Sequence, residues 1–161
     1  MPQPNFNNPS FDDLIRKYTD KYKELKFWAI RAQIAKESNF DPMAMSNKSA
    51  KGLMQITPDN FDYLRDKMRR VEGFELLDIF DPEQNIHAGC FCMADLIERV
   101  RRNLNPPEHQ VYALALAAYN AGSGNVFHVF KGIPPFHETQ EYVRIILAQN
   151  PGNGPEKGMV A

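Results

Sequence analysis

Apolar residues recur at helical spacing along almost the whole chain, and no stretch alternates with period two for long enough to build a sheet. That pattern confines the chain to an all-α (mainly α) fold. Ser10 with Asp13 three residues on resembles a capping box, and Phe11, Leu14, Ile15 and Tyr18 then follow one helical face. A second helix is predicted from about Glu24 to Ser38, with Leu25, Trp28 and Ala32 on one stripe, stopped by Asp41-Pro42. Thr57-Pro58 and Asp81-Pro82 each supply an N-cap followed by proline at the first helical position. Phe61, Leu64 and Met68 continue the first of these helices. Ile86, Gly89, Met93, Leu96 and Val100 continue the second, whose basic end, Arg99, Arg101 and Arg102, complements the helix dipole. Pro106-Pro107 opens an alanine-rich helix ending at Gly122, and Glu138 to Gln149 forms the last.

A length of 161 residues is one domain's worth, enough to bury about 70% of the extended chain's surface. Residues 10–149 are expected to form that domain, with 1–9 and 150–161 as flexible polar tails. Nineteen Lys and Arg against 20 Asp and Glu leave a net charge of −1. Such a balance argues against a nucleic-acid partner bound through counterion release and against polybasic membrane binding. The longest apolar run, Val111 to Tyr119, is far short of the roughly 20 residues a spanning helix needs, so no integral membrane segment is expected. No signal peptide is expected either, since residues 1–8 lack a basic stretch followed by an apolar one. Cys90 and Cys92 read as free, packed thiols.

His87, His109, His128 and His137 lack metal-ligand spacing, and neither a nucleophile elbow nor a phosphate-cradling loop is present. Glu37 is the odd residue: a carboxylate in the last turn of an apolar-faced helix, where the dipole disfavours the ionised form. By periodicity alone it reads as an exposed helix-end acid.

Longer motifs add to this. Glu37-Ser38-Asn39-Phe40-Asp41-Pro42, then Ser46, then Gly52-Leu53-Met54-Gln55 with Thr57-Pro58, resembles the catalytic region of soluble lytic murein transglycosylases, the goose-type lysozyme relatives. Asp81 to Ile86 with Gly89, Ala117 to Gly122 with Gly124, and Glu138-Thr139 with Tyr142-Val143 are similar to that family's further blocks, in order. The resemblance implies a lysozyme-like single domain with a glycan-binding groove, acting on peptidoglycan without metal or cofactor. It implies Glu37 as the catalytic acid/base. For substrate binding it implies Ser46, Met54, Gln55, Tyr119, Asn120, Glu138 and Tyr142, with Tyr119 near the Glu37 carboxyl and Tyr142 at the groove margin. Ser46 and Gln55 could equally satisfy loop backbone, and Met54 could be core. One departure stands out: Ser49-Ala50-Lys51 replaces the family's usual Gly-Ala and small residue, which is expected to alter loop geometry and to place a charge beside the groove.

Most glycosidases use two carboxylates; the family that this chain resembles uses one. It protonates the glycosidic oxygen between N-acetylmuramic acid and N-acetylglucosamine, then acts as base while the muramoyl 6-hydroxyl closes onto C1 to give a 1,6-anhydro product. A Glu with an ordinary pKa of about 4.3 is protonated in roughly one molecule in 500 at pH 7, and one raised to about 6 in roughly one in eleven, so such an acid calls for a dry setting. The alternatives are a hydrolytic muramidase on the same fold, or a non-catalytic glycan-binding module of a secretion apparatus or phage tail. The expected location is the cell envelope or periplasm, or a phage virion.

Overall fold

The computed structural model describes residues 2–153. Its regular structure is helical, in the order α1 (Asp12–Lys21), α2 (Phe27–Ser38), α3 (Pro58–Glu72), α4 (Pro82–Leu104), a 3-10 turn (Glu108–Gln110), α5 (Val111–Ala121), a π-helical turn (Asn125–Val129) and α6 (His137–Leu147). Extended pairing among the described residues is limited to two isolated bridges, Met45 with Lys51 and Lys51 with Ile56. The chain divides into two compact units, one through Cys92 and one from Met93 on, with the boundary inside α4.

In the N-terminal unit, α1 packs against α2. α2 buries Ala29, Ile30, Ala32, Gln33, Ile34 and Ala35, nearly two full turns rather than one stripe. It therefore sits inside the unit, and each fully buried Ile contributes about 2 kcal/mol of transfer free energy. The helix begins three residues later than expected, because Leu25 N–H closes a turn on the Tyr22 carbonyl and Lys26 stays extended. The capping box at Ser10 does not form. The Ser10 hydroxyl and N–H both turn back to Asn8 Oδ1, and α1 starts without a side-chain cap.

The two proline-marked starts match expectation: Thr57 Oγ1 accepts from Asn60 N–H, and Asp81 Oδ2 accepts from Gln84 N–H. Leu64 and Met68 of α3 pack with Ile56, Leu76, Ala88 and Phe91 into a buried cluster. Residues 5–8, expected as part of a mobile tail, are hydrogen-bonded to α2: Asn5 N–H donates to Asn39 Oδ1, and Arg31 donates to the carbonyls of Asn7 and Asn8.

In the C-terminal unit, α5 packs on α6. Three of its five alanines, Ala115, Ala117 and Ala118, are buried, in keeping with the small-residue reading. The α-helical part starts at Val111 rather than at the proline pair, because the chain first completes the 3-10 turn. The π-helical turn was not foreseen. Within this unit Arg99 lies over the Phe127 ring, 5.2 Å from its centroid, and Arg101 pairs with Glu108. Of the expected C-terminal tail, residues 150–153 form a turn and the remainder lies outside the described residues.

Candidate active site

Glu37 occupies the last turn of α2, half-buried, on the rim of a cavity of about 630 Å³. Ser46, Gln55, Asp41 and Met45 border the same cavity. What aims this helix end is the residue after the acid: Ser38 Oγ donates to the carbonyls of Ile34, 3.2 Å, and Leu53, 2.8 Å. The second bond ties α2 to the loop that carries Gln55.

Backbone strain gathers here. Asn39 (φ 48°) and Phe40 (φ 64°) follow Glu37-Ser38 in the left-handed region, and Ser49 (φ 62°) and Gln55 (φ 51°) adopt it in the facing loop. For a non-glycine residue that conformation costs about 1–2 kcal/mol, and Phe40 tolerates it because its ring is buried. Accumulated strain held in place by surrounding packing is characteristic of functional sites. Ser49 sits at φ 62°, a conformation natural to glycine, so the departure noted in the sequence carries a backbone cost.

The loop from residue 51 to 56 is closed by a pair of bonds, Lys51 N–H to Ile56 O and Ile56 N–H to Lys51 O, both 3.0 Å. Asn85 of α4 holds it from below. Its Oδ1 accepts from Met54 N–H at 2.7 Å, and its Nδ2 donates to the carbonyls of Lys51 and Ile79. Two glycines make the approach feasible: a Cβ on Gly52 would lie 2.2 Å from Asn85 Nδ2, and one on Gly89 would lie 2.2 Å from Met54 Sδ.

Ser46 Oγ accepts from the N–H groups of Lys48 and Ala50, so the hydroxyl oxygen shapes the loop while bordering the cavity. Gln55 donates from Nε2 to the carbonyls of Ala44 and Gly52; both bonds use the amide nitrogen, leaving its carbonyl oxygen as the polar end for a ligand. Asp41 accepts from Met43 N–H in a local turn. Met54 is fully buried and does not border the cavity; it is core. Lys51 belongs elsewhere, too: it lines a separate cavity of about 300 Å³ with Phe61 and Ile79, so its charge is not on the Glu37 cavity.

The remaining expected residues lie in the C-terminal unit. Tyr119 and Asn120 end α5, both half-buried, and Asn120 Oδ1 accepts from the buried Thr139 hydroxyl at 2.8 Å. Glu138 is exposed in the first turn of α6, where an acid complements the dipole. Tyr142, expected at an open margin, is 4% exposed on the packed face of α6.

Asn85 was missed as a positioning residue, although its spacing gave a signal: with Gly89 four residues on, it marks one α4 face as polar and closely approached. A buried polar cluster was missed altogether. Tyr22 donates to Glu72 Oε1 at 2.6 Å, and His87 Nε2 lies 3.0 Å from the Tyr22 hydroxyl and 3.1 Å from Glu72 Oε2. Tyr18 stacks on the His87 ring and donates to Glu83, which also pairs with Lys17. Burial pushes both tyrosine hydroxyls up and the His87 imidazole down, the latter partly offset by Glu72. His87 Nδ1 is buried without a hydrogen-bond partner, as fits a neutral ring donating through Nε2.

The described residues contain no group of three or more His, Cys, Asp or Glu arranged to hold a metal. None of their helices is long and apolar enough to cross a membrane.

The family model of the Transglycosylase SLT domain matches residues 13–134. The membrane-bound lytic murein transglycosylase C of Pectobacterium atrosepticum is 33% identical over 141 residues, covering 87% of this chain and 38% of that protein. The membrane-bound lytic murein transglycosylase F of Desulfosudis oleivorans is 38% identical over 120 residues, 73% of this chain and 23% of that protein. Among solved structures, the lytic transglycosylase Slt of Pseudomonas aeruginosa superposes with a TM-score of 0.71 at 25% identity, covering 93% of this chain and 25% of that one. The chain thus spans well under half the length of these relatives.

Proposed function

The chain belongs to the Transglycosylase SLT domain family, and from that premise we propose that it is a peptidoglycan lytic transglycosylase with Glu37 as its single acid/base. The observation that carries this reading is the placement of Glu37: an acid in the last turn of a helix, on the rim of a 630 Å³ cavity also bordered by the uncharged hydrogen-bonders Ser46 and Gln55. The helix end favours the protonated acid. That acid donates its proton to the glycosidic oxygen between N-acetylmuramic acid and N-acetylglucosamine as the C1–O bond breaks. The substrate's acetamido group assists at C1. The resulting carboxylate takes the proton of the muramoyl 6-hydroxyl while O6 bonds to C1, which closes the 1,6-anhydro ring and returns Glu37 to its starting state. No water enters and no metal is needed.

Asp41 also borders the cavity, and its Oδ1 accepts from Met43 N–H in a local turn, a structural role beside the one assigned to Glu37. Ser46 and Gln55 bind acetamido and hydroxyl groups of the glycan in this reading, and Tyr119, Asn120 and Glu138 are its further substrate-binding residues. Met54 and Tyr142 are each buried in the core of their own unit. The murein-directed names of the relatives support a place of action in the bacterial cell envelope. Assembly into a secretion apparatus or a phage tail draws no support from them.

Digestion of purified peptidoglycan followed by mass spectrometry tests the reading. Muramoyl products lighter by one water than the hydrolytic ones are expected. Hydrated reducing ends would make the protein a muramidase, and undigested sacculi would make it a binding module.

A further inference from the structure

The cavity beside Glu37 has a wall that no motif supplies. Pro2, Gln3 and Pro4 line it, together with residues of α2 and of the 41–55 loop. The chain just after them is fastened at several points. Asn5 N–H donates to Asn39 Oδ1 at 3.0 Å, and Asn39 is the left-handed residue two positions beyond Glu37. Arg31 Nη2 donates to Asn7 O at 3.0 Å and its Nε to Asn8 O at 3.2 Å, while Asp12 holds the same guanidinium at 3.1 Å. Asn5 and Asn8 fold the segment further through side-chain bonds to Asn7 N–H and Ser10 N–H. Arg31, Glu37 and Asn39 all stand on or at the end of α2, so the root of the wall and the acid share one rigid element.

We propose that Pro2-Gln3-Pro4 is a substrate-contacting wall of the Glu37 cavity, a specificity-determining segment that packs on an uncharged acetamido sugar of the glycan. The proposal rests on the reading of this cavity as a glycan site. Its chemistry follows from the residues. Prolines have no N–H and present apolar ring faces, which suit the C–H face of a pyranose. Gln3 adds one amide, donor and acceptor together, matching an acetamido or hydroxyl group. No charge is present in the three residues, so the wall favours the neutral sugar over a carboxylate-bearing stem peptide. A cavity of about 630 Å³ remains with the segment in place, which makes it a wall and not a plug.

The test measures binding, so that it does not depend on turnover. In a Glu37→Gln background, affinity for isolated peptidoglycan glycan strands is compared for the full chain, for a variant lacking residues 2–4, and for Asn39→Gly. The last removes the anchor's acceptor but keeps a residue at ease at φ 48°. Thermal melts confirm that each variant folds. The deletion is expected to weaken binding about tenfold, the worth of one hydrogen bond and a ring contact, with Asn39→Gly between it and the full chain. Affinities within twofold of one another, absence of binding in all three, or tighter binding on deletion would each overturn the proposal, the last by making the segment a plug. Cleavage of the same strands by the unsubstituted protein is scored separately. Cleavage with no effect of the deletion defeats the wall alone; weakened binding with no cleavage defeats the catalytic reading alone.

Discussion

Glu37 and Glu72 are both acids in the last turn of a helix, in the same unit, where the dipole is unfavourable to a negative charge. Their surroundings differ in kind. Glu72 is enclosed: Tyr22 donates to one oxygen, His87 faces the other and Lys21 approaches at 3.7 Å, all against the rings of Tyr18 and Phe74 that flank His87. Glu37 lines a cavity of about 630 Å³, at the end of a helix followed by two residues in strained backbone conformations. Position on a helix therefore does not by itself decide the role proposed for an acid. One region devotes its polar groups to each other and gains stability, whereas the other leaves room for a ligand and stores strain, with α2 and Asn85 holding the frame.

Exchanging the two acids for their amides separates these roles most sharply. Glu37→Gln should cut clearance of purified peptidoglycan by about 10²–10⁴-fold, the usual worth of a positioned acid, while the protein stays folded. Glu72→Gln should do the reverse, retaining clearance within a few-fold and costing about 1–3 kcal/mol through mismatched partners at Tyr22 and His87. Similar losses of activity in both would erase the distinction. Asn85→Ala should cost about 2–3 kcal/mol in urea unfolding, since it strands the buried Met54 N–H and takes a donor from the carbonyls of Lys51 and Ile79. Clearance should fall with it, because Gln55 rides on the loop that Asn85 holds.

The enclosed region should also show itself through pH. Burial holds His87 below its ordinary value near 6.5 in the fold. Just below pH 6.5 the unfolded chain takes up a proton that the folded chain refuses, so stability should fall with acidification there, by at most about 1.4 kcal/mol per pH unit. His87→Gln should flatten that slope between pH 6.5 and 5. Glu83, held low chiefly by Lys17 and then by Tyr18, loses its contribution in a lower window, as pH drops below the ordinary carboxylate range. On the strained side, Ser49→Gly should stabilise the protein by about 1 kcal/mol by relieving φ 62°, with clearance retained. A destabilising Ser49→Gly would mean the loop is not strained there.

What the sequence discloses and what it hides follow from range. Thr57-Pro58 and Asp81-Pro82 announce their helices because capping is settled within three or four residues. Ser10 misleads because Asn8 competes for its hydroxyl, and the early start given to α2 ignores the Tyr22–Leu25 turn. Glu37 is legible through its motif, as are Ser46 and Gln55 on the cavity rim. The left-handed Phe40 and Gln55 are not legible, since neither residue type favours that conformation and only tertiary packing imposes it. Tyr142 and Met54 look like groove residues in a motif but are buried. The hydrogen bonds of His87 reach residues 15 and 65 positions away, beyond any local pattern.

The claim at the centre is that an acid at position 37 breaks the glycosidic bond with the sugar's own hydroxyl as the acceptor. Digestion of peptidoglycan in water enriched in heavy oxygen measures this directly, by asking what arrives at the muramoyl C1. Unlabelled anhydro ends, absent from digests with Glu37→Gln, are the predicted result; label on C1 of the products would contradict the account.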